Sequence, residues 1–168
     1  SFSNGSRMCF QVNQPDHQRQ FQYKVFISYS HEEDEKLAEA IQYALQRFTK
    51  PWYQKRALLA YRDTTNLSAT PNLWTDIEKA LGESEYFLLL ASRKAAASKW
   101  VRKEVDFWLR ANDRSPKTLL IVLTEGEVCW DSEKGDFDWL RTTALPRNLK
   151  NVFIEEPLHV EVRLLRTN

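Results

Sequence analysis

Two runs, "EYFLLLAS" at 85–92 and "KTLLIVLT" at 117–124, are apolar without alternation. A strand with one face in water alternates apolar and polar residues, so an unbroken apolar run of this length is a strand covered on both faces. Strands of that kind belong to parallel sheets sandwiched between helices, because parallel neighbours are joined by crossovers of a dozen residues or more. Neither run approaches the ~20 residues needed to span a bilayer. The chain is thereby restricted to an α/β architecture with helices in the intervals.

The intervals carry the expected patterns. "YKVFISYS" (23–30) is rich in β-branched and aromatic residues and runs into the acidic "HEED", which suits a helix N-terminus. A helix over 33–50 follows, with Leu37, Ile41, Ala44, Leu45 and Phe48 at helical spacing and Pro51 beyond its basic end. "RALLAYRD" (56–63) reads as a second strand and "TTNLSATPN" (64–72) as a polar loop. The next helix places Leu73, Ile77, Ala80 and Leu81 on one face and closes near Gly82. After the second apolar run come an acidic, Trp-containing connection, a short helix at 137–141 and a short strand, "NVFI", at 151–154. Strands alternating with helices through right-handed crossovers predict a three-layer, flavodoxin-like doubly wound sheet of five parallel strands flanked by helices.

Composition excludes several function classes. A chain of 168 residues with 42% hydrophobic content supports one domain, here 21–168. The polar, Gln/Asn-rich stretch 1–20 is expected to be a disordered N-terminal segment, with 1–7 an expression remnant and Met8 the native start. With 24 basic and 23 acidic residues well mixed, no basic stripe is available for a phosphate backbone, and nucleic acid is not expected as a partner. Cys9 and Cys129 form no CxxC and His17, His31 and His159 are scattered, so no metal site is expected and a reducing cytoplasm is the expected location. No targeting or membrane-spanning pattern is visible, so no membrane partner is expected. Glycine occurs only at 5, 82, 126 and 135, which removes GxGxxG, P-loop and GxSxG chemistry.

In an open parallel sheet the ligand crevice lies outside the carboxyl ends of the strands, at the point where strand order reverses. That rule selects Ser28, Tyr29, Ser30 and His31 after the first strand, Arg62 and Asp63 after the second, and Ser92 after the third. A phosphorelay receiver would close the third strand with an aspartate, where this chain has Ala91 and Ser92. The segment "AAASKWVRKEVDFWLR" (95–110) then stacks Trp100, Glu104 and Phe107 on one helical stripe beside Val101, Val105 and Trp108. Glu104 either marks where that face meets solvent or is a carboxylate set in a partly apolar cleft. Trp100 is a core residue or the wall of the cleft, Phe107 reads as core, and Arg62 and Asp63 are a turn pair or ligand contacts.

Three segments in order, "KVFISYS", "YRDTTNLSATPNLWTDIEKAL" and "SKWVRKEVDF", resemble the signature regions of TIR domains, particularly the bacterial ones that cleave NAD+. The resemblance extends over 23–154. It implies that Glu104 is the catalytic carboxylate and that Ser28, Tyr29, Ser30, His31, Arg62, Asp63, Ser68 and Trp100 contact NAD+, which is the substrate and not a resident cofactor. It also implies homo-oligomerisation with other TIR domains, a sensor domain in the full-length chain, and service as the effector of a bacterial antiphage system. A non-catalytic TIR–TIR signalling scaffold is the alternative that the same resemblance admits.

Overall fold

The computed structural model of the chain describes residues 21–47, 61–62, 72–111 and 114–162. In chain order the elements are β1 (Tyr23–Ser28), α1 (His31–Arg47), β2 (Tyr61–Arg62), α2 (Leu73–Gly82), β3 (Ser84–Ala91), α3 (Arg93–Ala97), α4 (Lys99–Asp106), β4 (Leu119–Leu123), β5 (Trp130–Asp131), β6 (Asp136–Phe137) and β7 (His159–Glu161). Five strands form one parallel sheet in the order β2-β1-β3-β4-β7, the doubly wound order expected from the sequence. The parts of the expected first helix and second strand at 48–50, 56–60 and 63, the loop to 71 and the N-terminal stretch 1–20 lie outside the described residues.

Both apolar runs lie in the inner strands of this sheet, but only β3 has a helical layer against each face. β4 is covered on one, and on its other face Leu120 is exposed and Val122 half-buried, because the connection from β4 to β7 brings no helix to cover it. Phe26, Phe87, Leu89, Ile121 and Leu123 share one cluster with Ile77, Ala80 and Leu81 of α2, with Val101 and Val105 of α4, and with Trp108. The alternate residues Val25, Ile27, Leu88 and Leu90 pack on the other side with Ala38, Leu37, Ile41 and Leu45 of α1. Period-two geometry thus divides β3 between two cores, so both its odd and its even positions must be apolar. Ala44, expected on the apolar face of α1, is exposed, and Ala38 takes the buried place.

The segment read as one helix is broken at Ser98. Its extended backbone ends α3, and its Oγ accepts the Val101 N–H at 3.3 Å to start α4. After Asp106 the coil widens into a π-helical turn, Phe107–Ala111, which keeps Trp108 buried. Trp108 Nε1 donates to Thr118 Oγ1 at 3.0 Å, so the polar end of the ring is satisfied inside the core.

Two expectations fail in the last third. No helix forms at 137–141: Phe137 lies in β6, paired antiparallel with Trp130 of β5, and residues 139–141 form a turn. The rings of Trp130, Trp139 and Phe153 meet Phe137 edge-on at centroid distances of 5.2, 5.6 and 5.8 Å, a cluster that depends on the hairpin and competes with helix. "NVFI" is not a strand either. Asn151 sits at φ 58° with its N–H donating to Asp136 Oδ1, Phe153 turns into the aromatic cluster, and Ile154 projects into solvent. The fifth strand of the sheet is β7, and the connection to it from β4 runs through the hairpin and a 3-10 turn, Arg147–Leu149, with no α-helix. No helix among the described residues is long and apolar enough to cross a membrane.

Candidate functional site

Parallel strands bring their carboxyl ends to one rim of the sheet, and here the ends of β1, β3 and β4 carry Ser28, Ser92 and Thr124, all buried. Each hydroxyl has its own protein partner. Ser92 Oγ accepts the Ala95 N–H at 3.0 Å and caps α3. Thr124 Oγ1 donates towards Asp34 Oδ2 at 3.0 Å and the Ala91 carbonyl at 3.1 Å. Ser28 Oγ donates to Glu104 Oε2 at 2.5 Å.

Glu104 is completely buried, at 0% exposure, on the face of α4 that also buries Val101 and Val105. Of the two readings open in the sequence, solvent is removed: the carboxylate faces the protein, at the rim of the strands. Burying a carboxylate without donors is costly, and the Ser28 hydroxyl supplies a short bond to it. Tyr29, next on β1's exit, is buried, with its ring 4.8 Å from the half-buried His31 ring. Ser30 stays half-exposed while its carbonyl accepts the N–H groups of Glu33 and Asp34 at 3.2 and 3.0 Å, starting α1. Arg62 closes β2 in register with Ile27 of β1. Asp63 and Ser68 lie outside the described residues.

Trp100 is half-buried one turn before Glu104 and packs with Trp74 of α2 at 6.1 Å between ring centroids. Trp74 also meets Phe107 edge-on at 6.1 Å, and the Lys103 ammonium lies 4.0 Å from the Trp74 ring centroid. The Trp100 ring thus anchors α4 against α2 and still reaches the surface. Sequence reasoning missed the part played by Trp74, although its place in "NLWTDIEKAL" one position after Leu73 marks it as the shoulder of α2's apolar face. It also missed the burial of Asp34, which was one acid of an acidic helix start, and of its partner Thr124.

Ion pairs tie the outer rim together. Arg93 pairs with Glu125 at 2.8 Å, and Lys94 pairs with Glu32 at 2.5 Å and Glu33 at 3.6 Å, linking the starts of α1 and α3. The hydrogen bond and charge of Lys94 hold the Glu32 carboxyl below its ordinary value, and Glu32 in turn raises the Lys94 ammonium. Both groups face water, so the pair orients the rim more than it stabilises the fold.

The chain is similar to several known proteins. The family model described as TIR domain matches residues 25–151. An Actinoplanes protein named NAD(+) hydrolase ApTIR is 48% identical over 144 residues, covering 86% of this chain and 20% of that protein. A Theionarchaea archaeon protein named NAD(+) hydrolase TcpA is 30% identical over 115 residues, covering 64% of this chain and 31% of its own length. The chain thus spans about a fifth to a third of the curated relatives it matches. Among solved structures, the TIR domains of the activated Roq1 resistosome, which recognises the pathogen effector XopQ, match at 22% identity with a TM-score of 0.47, over 60% of this chain and 57% of that one. The family match takes in β1, the parallel sheet's centre and the helix bearing Glu104: the chain belongs to the TIR domain family.

Proposed function

We propose that this domain cleaves NAD+ between nicotinamide and ribose, with Glu104 as the catalytic carboxylate. The observation that carries the reading is a fully buried carboxylate at the carboxyl rim of a doubly wound sheet, where ligands of such folds bind, gripped by the hydroxyl of Ser28 at 2.5 Å. Two relatives bearing the name NAD(+) hydrolase support it.

The chemistry asks for one carboxylate. As the bond from ribose C1′ to the pyridinium nitrogen breaks, its electron pair returns to nitrogen, nicotinamide leaves as a neutral base, and positive charge develops on the ribose ring. A fixed carboxylate in a water-poor cleft stabilises that oxocarbenium character. The leaving group needs no proton, so the acid-donating second carboxyl of a glycosidase has no task here. Water then adds at C1′ and releases a proton, giving ADP-ribose; attack by the adenine ring in place of water gives the cyclic product. Tyr29, Ser30 and His31 line the cleft beside β1, Trp100 forms its aromatic wall, and Arg62, Asp63 and Ser68 meet the rest of the dinucleotide from the second strand and its loop.

Self-association with other TIR domains raises activity by completing neighbouring sites, and in the cytoplasm of a bacterium the result is the effector arm of an antiphage system triggered by a sensor domain of the same protein. Nicotinamide release from NAD+, measured chromatographically with concentrated protein and with protein clustered on a scaffold, tests both parts. Clustering is expected to increase turnover per domain, and Glu104→Gln to reduce release by about 100-fold or more. Absence of release even from clustered protein would leave the scaffold reading; equal release from the Gln variant would remove Glu104 from the reaction.

A further inference from the structure

Ser28 and Glu104 lie 76 positions apart in the chain, and both side chains are 0% exposed. They stand on different elements, one on a strand and one on a helix. Ser28 ends β1, with Leu89 of β3 opposite it in register, and β1 itself lies between β2 and β3. Glu104 projects from the last turn of an eight-residue helix bounded by the Ser98 break and the π-helical turn, on a side chain with several rotatable bonds. A hydroxyl has one proton to give, and that of Ser28 is directed at Glu104 Oε2. The neighbouring rim hydroxyls are engaged elsewhere, Ser92 as the cap of α3 and Thr124 between Asp34 and Ala91.

Resting on the reading of Glu104 as the catalytic carboxylate, we propose that Ser28 is a positioning residue: its hydroxyl clamps one Glu104 oxygen to the end of β1, so that the carboxylate meets the ribose in a single orientation, and Ser28 itself makes no substrate contact. This departs from the role that the family resemblance implies for Ser28. A charge-stabilising group gains its effect from being preorganised where charge develops, so loss of the clamp is felt in the chemical step and not in substrate binding. A hydroxyl bond to an ionised acceptor is also directional enough to select one carboxylate rotamer.

Steady-state kinetics of nicotinamide release with Ser28→Ala and Ser28→Thr test the clamp. Ser28→Ala is expected to lower kcat by about 10- to 100-fold with KM unchanged, the scale of loss that a small misplacement of a reacting group brings. Ser28→Thr, which keeps the hydroxyl, is expected to restore most of that loss. Ser84→Ala is the control: it removes another buried hydroxyl bond, to the Ala80 carbonyl at 2.7 Å, at the opposite end of the sheet, and should lower Tm while leaving kcat intact. A raised KM with kcat intact in Ser28→Ala would make Ser28 a substrate contact and overturn the proposal, as would a kcat loss matched by Ser84→Ala. A readout independent of turnover comes from protein labelled with 13C at the glutamate carboxyls, where the Glu104 resonance is the one missing in Glu104→Gln. That resonance is expected to move in Ser28→Ala, and an unmoved resonance overturns the clamp. If the wild-type domain releases no nicotinamide, the proposed activity falls, and the resonance alone decides whether Ser28 holds Glu104.

Discussion

At the scale of single residues, the rim of the sheet concentrates polar side chains that the core would otherwise reject. Glu104 and Asp34 are both buried carboxylates, and each faces a hydroxyl from the end of a strand, Ser28 in one case and Thr124 in the other. Hydrogen bonds to charged acceptors are worth more than neutral ones, and removing a donor from a buried acceptor forfeits that bond while the desolvation cost remains. Thr124→Val keeps the shape and removes the donor, and is expected to destabilise the fold by about 1–3 kcal/mol in urea unfolding. Trp108 illustrates the opposite balance, a ring whose burial dominates and whose single N–H is satisfied by Thr118. Trp108→Ala is expected to cost about 3–5 kcal/mol by the same measurement, the range for deleting a buried aromatic. The sequence placed Glu104 and Trp108 on adjacent stripes, but a stripe does not say what it meets, and the hydroxyl that faces Glu104 comes from β1.

At the scale of elements, local chemistry explains where the last third departs from helix. Asp131 Oδ1 accepts the N–H groups of Glu133 and Lys134 at 3.1 and 3.2 Å, and Gly135 at φ +64° completes the turn of the β5–β6 hairpin. The Lys134 N–H, followed by its ammonium, holds the Asp131 carboxyl below its ordinary value of 3.8. The ionised form therefore favours the turn at and above that value, and its contribution is lost as pH falls through the lower folded one. Amide NMR shifts of Glu133 and Lys134 are expected to titrate together below pH 3.8. Because the bonds are local to one turn at the protein surface, the effect on global stability is small. Gly126 joins this connection to the sheet at φ +85°, where a Cβ would lie 3.0 Å from Thr143 Oγ1 and 3.2 Å from the Ala144 Cβ. Gly126→Ala combines left-handed strain with that crowding and is expected to cost more than about 1 kcal/mol in thermal unfolding.

At the scale of the molecule, the parallel sheet is the frame on which the site depends. β3 lies at its centre, between β1 and β4, with helices packed on both faces, whereas β7 is an edge with Val160 exposed. Native-state hydrogen exchange is expected to be slowest in β3 and faster in the edge strand β7, because opening the centre requires opening both cores. Equal protection across the sheet would contradict that ordering.

The frame was legible because a strand buried on both faces, as β3 is, has no position where a polar side chain would keep its water, and composition records that directly. β4 carries the same unbroken apolar run although one of its faces leaves Leu120 exposed and Val122 half-buried. Strand order followed from handedness and short connections, which are properties of any right-twisted chain. The β4 to β7 connection was not legible, since "NVFI" and the residues around Phe137 carry strand and helix propensities that four aromatic rings override by packing together. By itself the sequence determined a doubly wound sheet, its rim residues and a helix with Glu104 among aromatics. Only the tertiary structure decided that this carboxylate is buried and clamped by Ser28, because that contact joins residues 76 positions apart, a separation that no local periodicity encodes.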